Sequence, residues 1–202
     1  MKNYLVWIGL ALLITLPATA EDAGGTLTDA ERAELIELLE TSRSATEELT
    51  ARATCENWAK KPAEDRWSVA EVLEHVVLTE EGLFATAQGA LESPEDPEWE
   101  TMAGAQVSDM INRIQDRSQK FQAPEPFEPK GGMERTELLE RYGAVRAVTM
   151  DFVRSTQAPV KRHTATGPPG KMNVQQWMAL IAGHNLRHNA QITEVLEQVG
   201  GC

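Results

Sequence analysis

His184 and His188 are the residues of this chain best placed to do chemistry. They stand four apart in a stretch, Val174 to Val199, whose apolar residues recur at helical spacing. With Val174 as origin, Trp177, Met178, Ile181, Ile192, Val195, Leu196 and Val199 fall within about 60° of it, and the two histidines fall at about 280° and 320°. Two imidazoles thus occupy positions where the pattern calls for Leu or Ile. A buried polar group left unsatisfied costs on the order of 1–3 kcal/mol. A cation held by both rings removes that cost, and a separation of about 6 Å at i, i+4 lets both reach one ion, as in H-x-x-x-H zinc sites. His75, at the edge of an earlier apolar stripe, is available as a third ligand from across the fold. Three histidines with no evident fourth protein ligand leave coordination positions open for water or substrate, the mark of a catalytic rather than a structural metal site.

Other readings of the same residues stand beside this one. Asn185, Asn189, Gln191 or backbone carbonyls can satisfy buried imidazoles without any ion. His163 lies in the polar run Lys161-Arg162-His163-Thr164 and is assigned to solvent. Trp177 and Met178 read as core. Glu74, Glu80 and Glu81 read as a solvated helix face, the alternative being a carboxylate partner to a ligand histidine.

Helices must position these side chains. Thr28-x-x-Glu31 is a capping box opening a helix of about 29–55 that carries Leu35, Leu38, Leu39, Ser42, Thr46 and Leu49 at helical spacing. Ser68-x-x-Glu71 opens a second, with Val69, Val72, Leu73, Val76, Val77 and Phe84, running to about Leu91. A shorter helix around Met110, Ile111 and Ile114 lies within a long connection that ends in Pro124, Pro126, Pro129 and Gly131-Gly132. A third long helix begins near Thr136. After the loop Gly167-Pro168-Pro169-Gly170, Asn173-x-x-Gln176 opens the last, and Gly200-Gly201 terminates it. No strand is evident. Four long amphipathic helices, with a helix-containing connection between the second and third, predict an all-α four-helix bundle.

The 202 residues carry 31 acidic and 19 basic side chains, a net charge of −12 that argues against a nucleic-acid binder and disfavours anionic membrane surfaces. One domain is expected at this length. Met1-Lys2-Asn3, an uncharged and largely apolar run from Tyr4 to Leu16, and Pro17-Ala18-Thr19-Ala20 read as a signal peptide at 1–20, cut after Ala20. The apolar run is too short for a spanning helix. The expected product is an exported protein, periplasmic or secreted, whose domain occupies 21–202 and which has no membrane attachment after cleavage.

Two stretches carry a family resemblance. Asp65-Arg66-Trp67-Ser68-Val69-Ala70-Glu71-Val72-Leu73-Glu74-His75 resembles the W-S-x-x-E-x-x-x-H opening of the DinB-like metalloprotein superfamily. Gln176-Trp177 together with His184-Asn185-Leu186-Arg187-His188-Asn189-Ala190-Gln191-Ile192 resembles its Q-W and H-x-x-R-H-x-x-Q-I signature. Arg117 to Pro124 is similar to a connecting segment of the same group. The resemblance implies a four-helix bundle in which His75, His184 and His188 hold one divalent transition metal, zinc or nickel foremost. It further implies a transferase of the thiol-dependent type or a hydrolase acting on a small molecule, with a non-catalytic metal-binding bundle as the alternative. A zinc-type ion would lower the pKa of a substrate thiol or water. Arg187 and Gln191 match the pattern, and each also has a structural reading. An export signal departs from the thiol-using members, since the exported space is oxidising. A homodimer through an exposed helix face is a further expectation.

Cys55 ends the first helix and Cys202 follows the last. If the long connection joins parallel second and third helices, both cysteines lie at one end of the bundle and can pair, closing a loop of roughly 150 residues. A simple up-down order separates them. The crossover order is the expectation.

Overall fold

Three of the four long helices begin where the sequence supplies a cap that closes on itself. Thr28, Ser68 and Asn173 each accept from the backbone N–H three residues on, and Glu31, Glu71 and Gln176 each reach back to the cap's own N–H. In the computed structural model, which describes residues 24–54, 56–102, 107–118, 121–167 and 170–200 (without the side chains of 101, 102 and 107–109), these helices are α1 (Asp29–Arg52), α2 (Val69–Leu91) and α6 (Val174–Val199). The fourth, α5 (Arg135–Ser155), starts at Glu134 with no side-chain cap. The short helices α3 (Trp99–Met102) and α4 (Val107–Gln115) occupy the long connection, which also holds a single 3-10 turn, Glu125–Phe127. The expected signal segment 1–20 and both cysteines lie outside the described residues.

Hydrogen bonds between helix ends fix the topology. At one end, Arg135 at the start of α5 donates to Thr50 O near the end of α1 (2.8 Å), and Ala70 N at the start of α2 donates to Trp58 O (3.0 Å). Asn57 Nδ2, just past α1, donates to Gly200 O, just past α6 (2.9 Å). At the other end, Arg32 near the start of α1 donates to Val153 O and Thr156 O at the end of α5. So α2 and α5 run parallel, α1 and α6 run against them, and the connection crosses the length of the bundle. The segments flanking the two cysteines thus share one end, the arrangement a disulfide between them requires.

Two features depart from the sequence reading. α1 stops at Arg52 rather than near 55, because Ala53 turns extended and Thr54 N is taken by Asn57 Oδ1 (2.7 Å). And a two-stranded antiparallel hairpin exists: β1 (Thr164–Gly167) pairs with β2 (Gly170–Asn173), in the register Thr164 to Asn173. Strands of four residues are too short to show alternation. Gly167 is required there, since a Cβ would meet the Trp177 ring at 2.4 Å.

The core is split by a polar layer. One apolar cluster holds Leu35, Leu39, Leu83, Met150, Val153, Trp177, Met178 and Ile181, and the other holds Leu49, Val69, Val72, Val76, Leu138, Tyr142, Ile192 and Val195. Between them every long helix contributes a buried polar residue: Ser42 and Thr46, Glu80, Arg146 and Thr149, Asn185 and Asn189. Arg146, 0% exposed, donates to Glu80 Oε2 (2.8 Å), Asn185 Oδ1 (2.8 Å), Ser42 Oγ (2.6 Å) and Leu39 O (2.9 Å). Thr149 Oγ1 donates to the other Glu80 oxygen (2.8 Å), and Thr46 and Asn189 close the network onto α1. Each charge is thereby matched, as burial demands.

Candidate metal centre

His75 projects from α2, and His184 and His188 project from consecutive turns of α6. Helix α6 presents its two rings together because i and i+4 lie on one face. The structure brings all three predicted histidines together: one ring nitrogen from each lies within 4.8 Å of the others. His184 Nε2 and His188 Nε2 are 3.1 Å apart, and the His75 ring centroid is 5.1 Å and 4.6 Å from theirs. Two nitrogens on one tetrahedral ion at ~2.0–2.1 Å would be about 3.4 Å apart, so this spacing fits shared coordination. His75 and His188 are buried, and His184 is half-buried.

The outward nitrogens are held. His75 Nδ1 donates to the Phe127 carbonyl (2.7 Å), and His188 Nδ1 donates to Gln191 Oε1 (2.8 Å). Each bond puts the proton on Nδ1 and leaves the Nε2 lone pair facing the cluster, the usual arrangement behind a metal-ligating histidine. The Trp67 ring covers His75 at 4.9 Å.

Burial is the main reason all three imidazoles resist protonation. It pulls His75 below the ordinary range, against the Phe127 carbonyl, which favours the charged ring. His188 falls to about 3, from burial first and then from His75, with the Gln191 bond opposing. His184 falls well below its usual value for burial, then for its two neighbouring imidazoles and Arg187. Neutral imidazoles with converging lone pairs are the form that binds a cation.

The surroundings correct several sequence readings. Glu80 is not on a solvated face: it is 3% exposed and paired with Arg146. Glu74 is buried as well, its carboxylate accepting from Lys130 N (3.0 Å) and Gly131 N (2.8 Å). Glu81 is the one of the three that stays partly exposed, bridged to Arg141 (2.7 Å). His163 is half-buried rather than free in solvent, with Nδ1 on Ser93 O (2.9 Å), and it lies outside the cluster. Of the amides able to satisfy the histidines, Gln191 does so, while Asn185 and Asn189 serve the polar layer instead. Arg187 donates to the carbonyls of Ile114 (3.0 Å) and Asp116 and lies 5.5 Å from the Phe121 ring, so it ties the connection to α6. Arg117 grips Glu194 through two nitrogens at 3.0 and 2.7 Å. The partners of Glu74, Glu80 and His75 come from 52 to 69 residues away in sequence, so no local signal announced them.

Comparison with known proteins places the chain in a family. The model of the DinB superfamily matches residues 38–192, and the chain belongs to that superfamily. It is 27% identical over 154 residues to YuaE of Bacillus subtilis (strain 168), described as uncharacterised, covering 69% of this chain and 83% of that one. Among solved structures it is similar to YfiT from Bacillus subtilis, described as a probable metal-dependent hydrolase with an unusual four-helix bundle topology (TM-score 0.51, 15% identity, covering 88% of this chain and 92% of that one). It is also similar to a protein from Exiguobacterium sibiricum 255-15 described as belonging to the DinB family (TM-score 0.52, 19% identity, covering 86% and 94%). At these identities the two structures speak for the fold.

Proposed function

We propose that this DinB-superfamily protein is a divalent-metal-dependent hydrolase of small molecules, with His75, His184 and His188 as the metal ligands. The observation that carries the reading is the convergence of three neutral imidazoles from two helices, with no carboxylate or thiolate joined to the cluster among the described residues. Three protein ligands leave room on an ion for a further partner, as in catalytic rather than structural sites. When bound, such an ion supplies Lewis acidity and lowers the pKa of a water or thiol beside it. The chain's own part is to hold two lone pairs inward through the Phe127 carbonyl and Gln191 and to bury the rings of His75 and His188. Zinc and nickel both suit an all-imidazole set. The description of YfiT as a probable metal-dependent hydrolase supports hydrolysis over transfer. The export expected from the 1–20 segment, to a space poor in reduced thiols, favours it as well. We further propose an exported, periplasmic or secreted location.

The test is a screen of the zinc- and nickel-loaded protein against activated esters and amides, and in parallel against thiol-transfer substrates. Hydrolysis that depends on added metal and is lost in His184→Ala is the expected result. Thiol-dependent turnover alone would move the reading to a transferase. Metal bound at full occupancy, with no turnover in either panel, would favour a non-catalytic metal-binding bundle.

A further inference from the structure

We infer that residues Phe127 to Gly131 form a strap that positions His75 for the ion, and that Gly82 is the residue that lets the strap seat. The inference rests on the metal-binding reading above and extends it to residues that would not themselves coordinate the ion.

Three contacts hold the strap to one face of α2. The Phe127 carbonyl accepts from His75 Nδ1 at 2.7 Å. Glu74, the neighbour of His75, receives the amides of Lys130 and Gly131 at 3.0 and 2.8 Å, with Gly131 at φ +71°, a backbone that side chains rarely adopt. The third contact is Gly82, seven residues after His75 and so nearly on the same face. A Cβ built there would lie 2.4 and 2.6 Å from Cε1 and Cζ of the Phe127 ring, closer than two carbons approach. Glycine inside a helix weakens it relative to alanine, so the position answers a packing demand. Here the demand is the ring whose own backbone carbonyl orients the metal ligand. We expect the displaced ring to carry its own backbone with it and so to shift that carbonyl, and a histidine that loses its outer acceptor binds metal more weakly.

The experiment measures cobalt(II) affinity by chelator competition, together with the visible absorption of the bound ion. Gly82→Ala is expected to weaken cobalt binding about tenfold or more, the usual range for such partners. Phe127→Leu in the Gly82→Ala background should restore it, because leucine lacks the two clashing ring atoms, while Cδ1 lies 3.6 Å from the built Cβ, an ordinary contact. If Gly82→Ala does not fold, Glu74→Gln is used, which leaves one acceptor oxygen for two amides and is expected to weaken binding likewise. Wild-type affinity in the variant measured, or a double variant as weak as Gly82→Ala alone, would overturn the strap. Failure of the wild-type chain itself to bind cobalt would overturn the metal reading instead.

Discussion

An imidazole serves a cation only while its other nitrogen keeps the proton, so the acceptor behind each ring matters as much as the ring. Gln191 does this for His188, standing three residues on along α6. Replacing it with leucine keeps the volume and removes the acceptor. Gln191→Leu is therefore expected to lower zinc affinity about tenfold, with little change in the melting temperature of the metal-free protein, as competition titration and thermal denaturation would show. The histidines were legible in the sequence because imidazoles on an apolar arc are conspicuous. The two buried glutamates were not. A carboxylate that pairs with Arg146 or with two backbone amides looks, in sequence, like any charge on a solvated face. Only the long connection and α5 supply the partners that reveal it.

Each long helix changes character at mid-length, where the polar layer interrupts two apolar clusters. Glu80 and Arg146 join α2 to α5 there. Glu80→Ala strands a fully buried guanidinium and should cost about 3–5 kcal/mol in chemical denaturation, whereas Glu80→Met combined with Arg146→Met should cost far less, since no orphan charge remains. The hairpin's anchor is of another kind. Asp96 accepts from Lys171, from Glu98 N (2.9 Å) and from Thr164 Oγ1 (2.7 Å), and these bonds, Lys171 foremost, hold its carboxyl down at about 2. A depressed carboxyl contributes stability in full above its unfolded value and loses it as pH falls through the folded one. The melting difference between wild type and Asp96→Asn should therefore be constant above about pH 5 and fade toward pH 2. A wild-type advantage persisting undiminished at the acid end would contradict this anchor. Capping boxes and apolar stripes make the helices readable from residue order alone. The hairpin was hidden because four-residue strands carry no period, and the crossover order rests on contacts between helix ends that no local pattern encodes.

At the scale of the molecule, the crossover makes α2 and α6 antiparallel neighbours, so one histidine near the start of α2 meets two in the middle of α6. The connection that produces this order also returns along α2 to supply the Phe127 carbonyl, so the topology brings both the ligands and one of their supports. Among the described residues no helix is long and apolar enough to cross a membrane. The central claim is that the three imidazoles share one ion. Elemental analysis of protein purified without a metal-affinity tag, alongside His188→Ala and His163→Ala, tests it most directly. The account predicts about one equivalent of a divalent transition metal in the wild type and in His163→Ala, and loss of most of it in His188→Ala. The same metal content in all three proteins would contradict it.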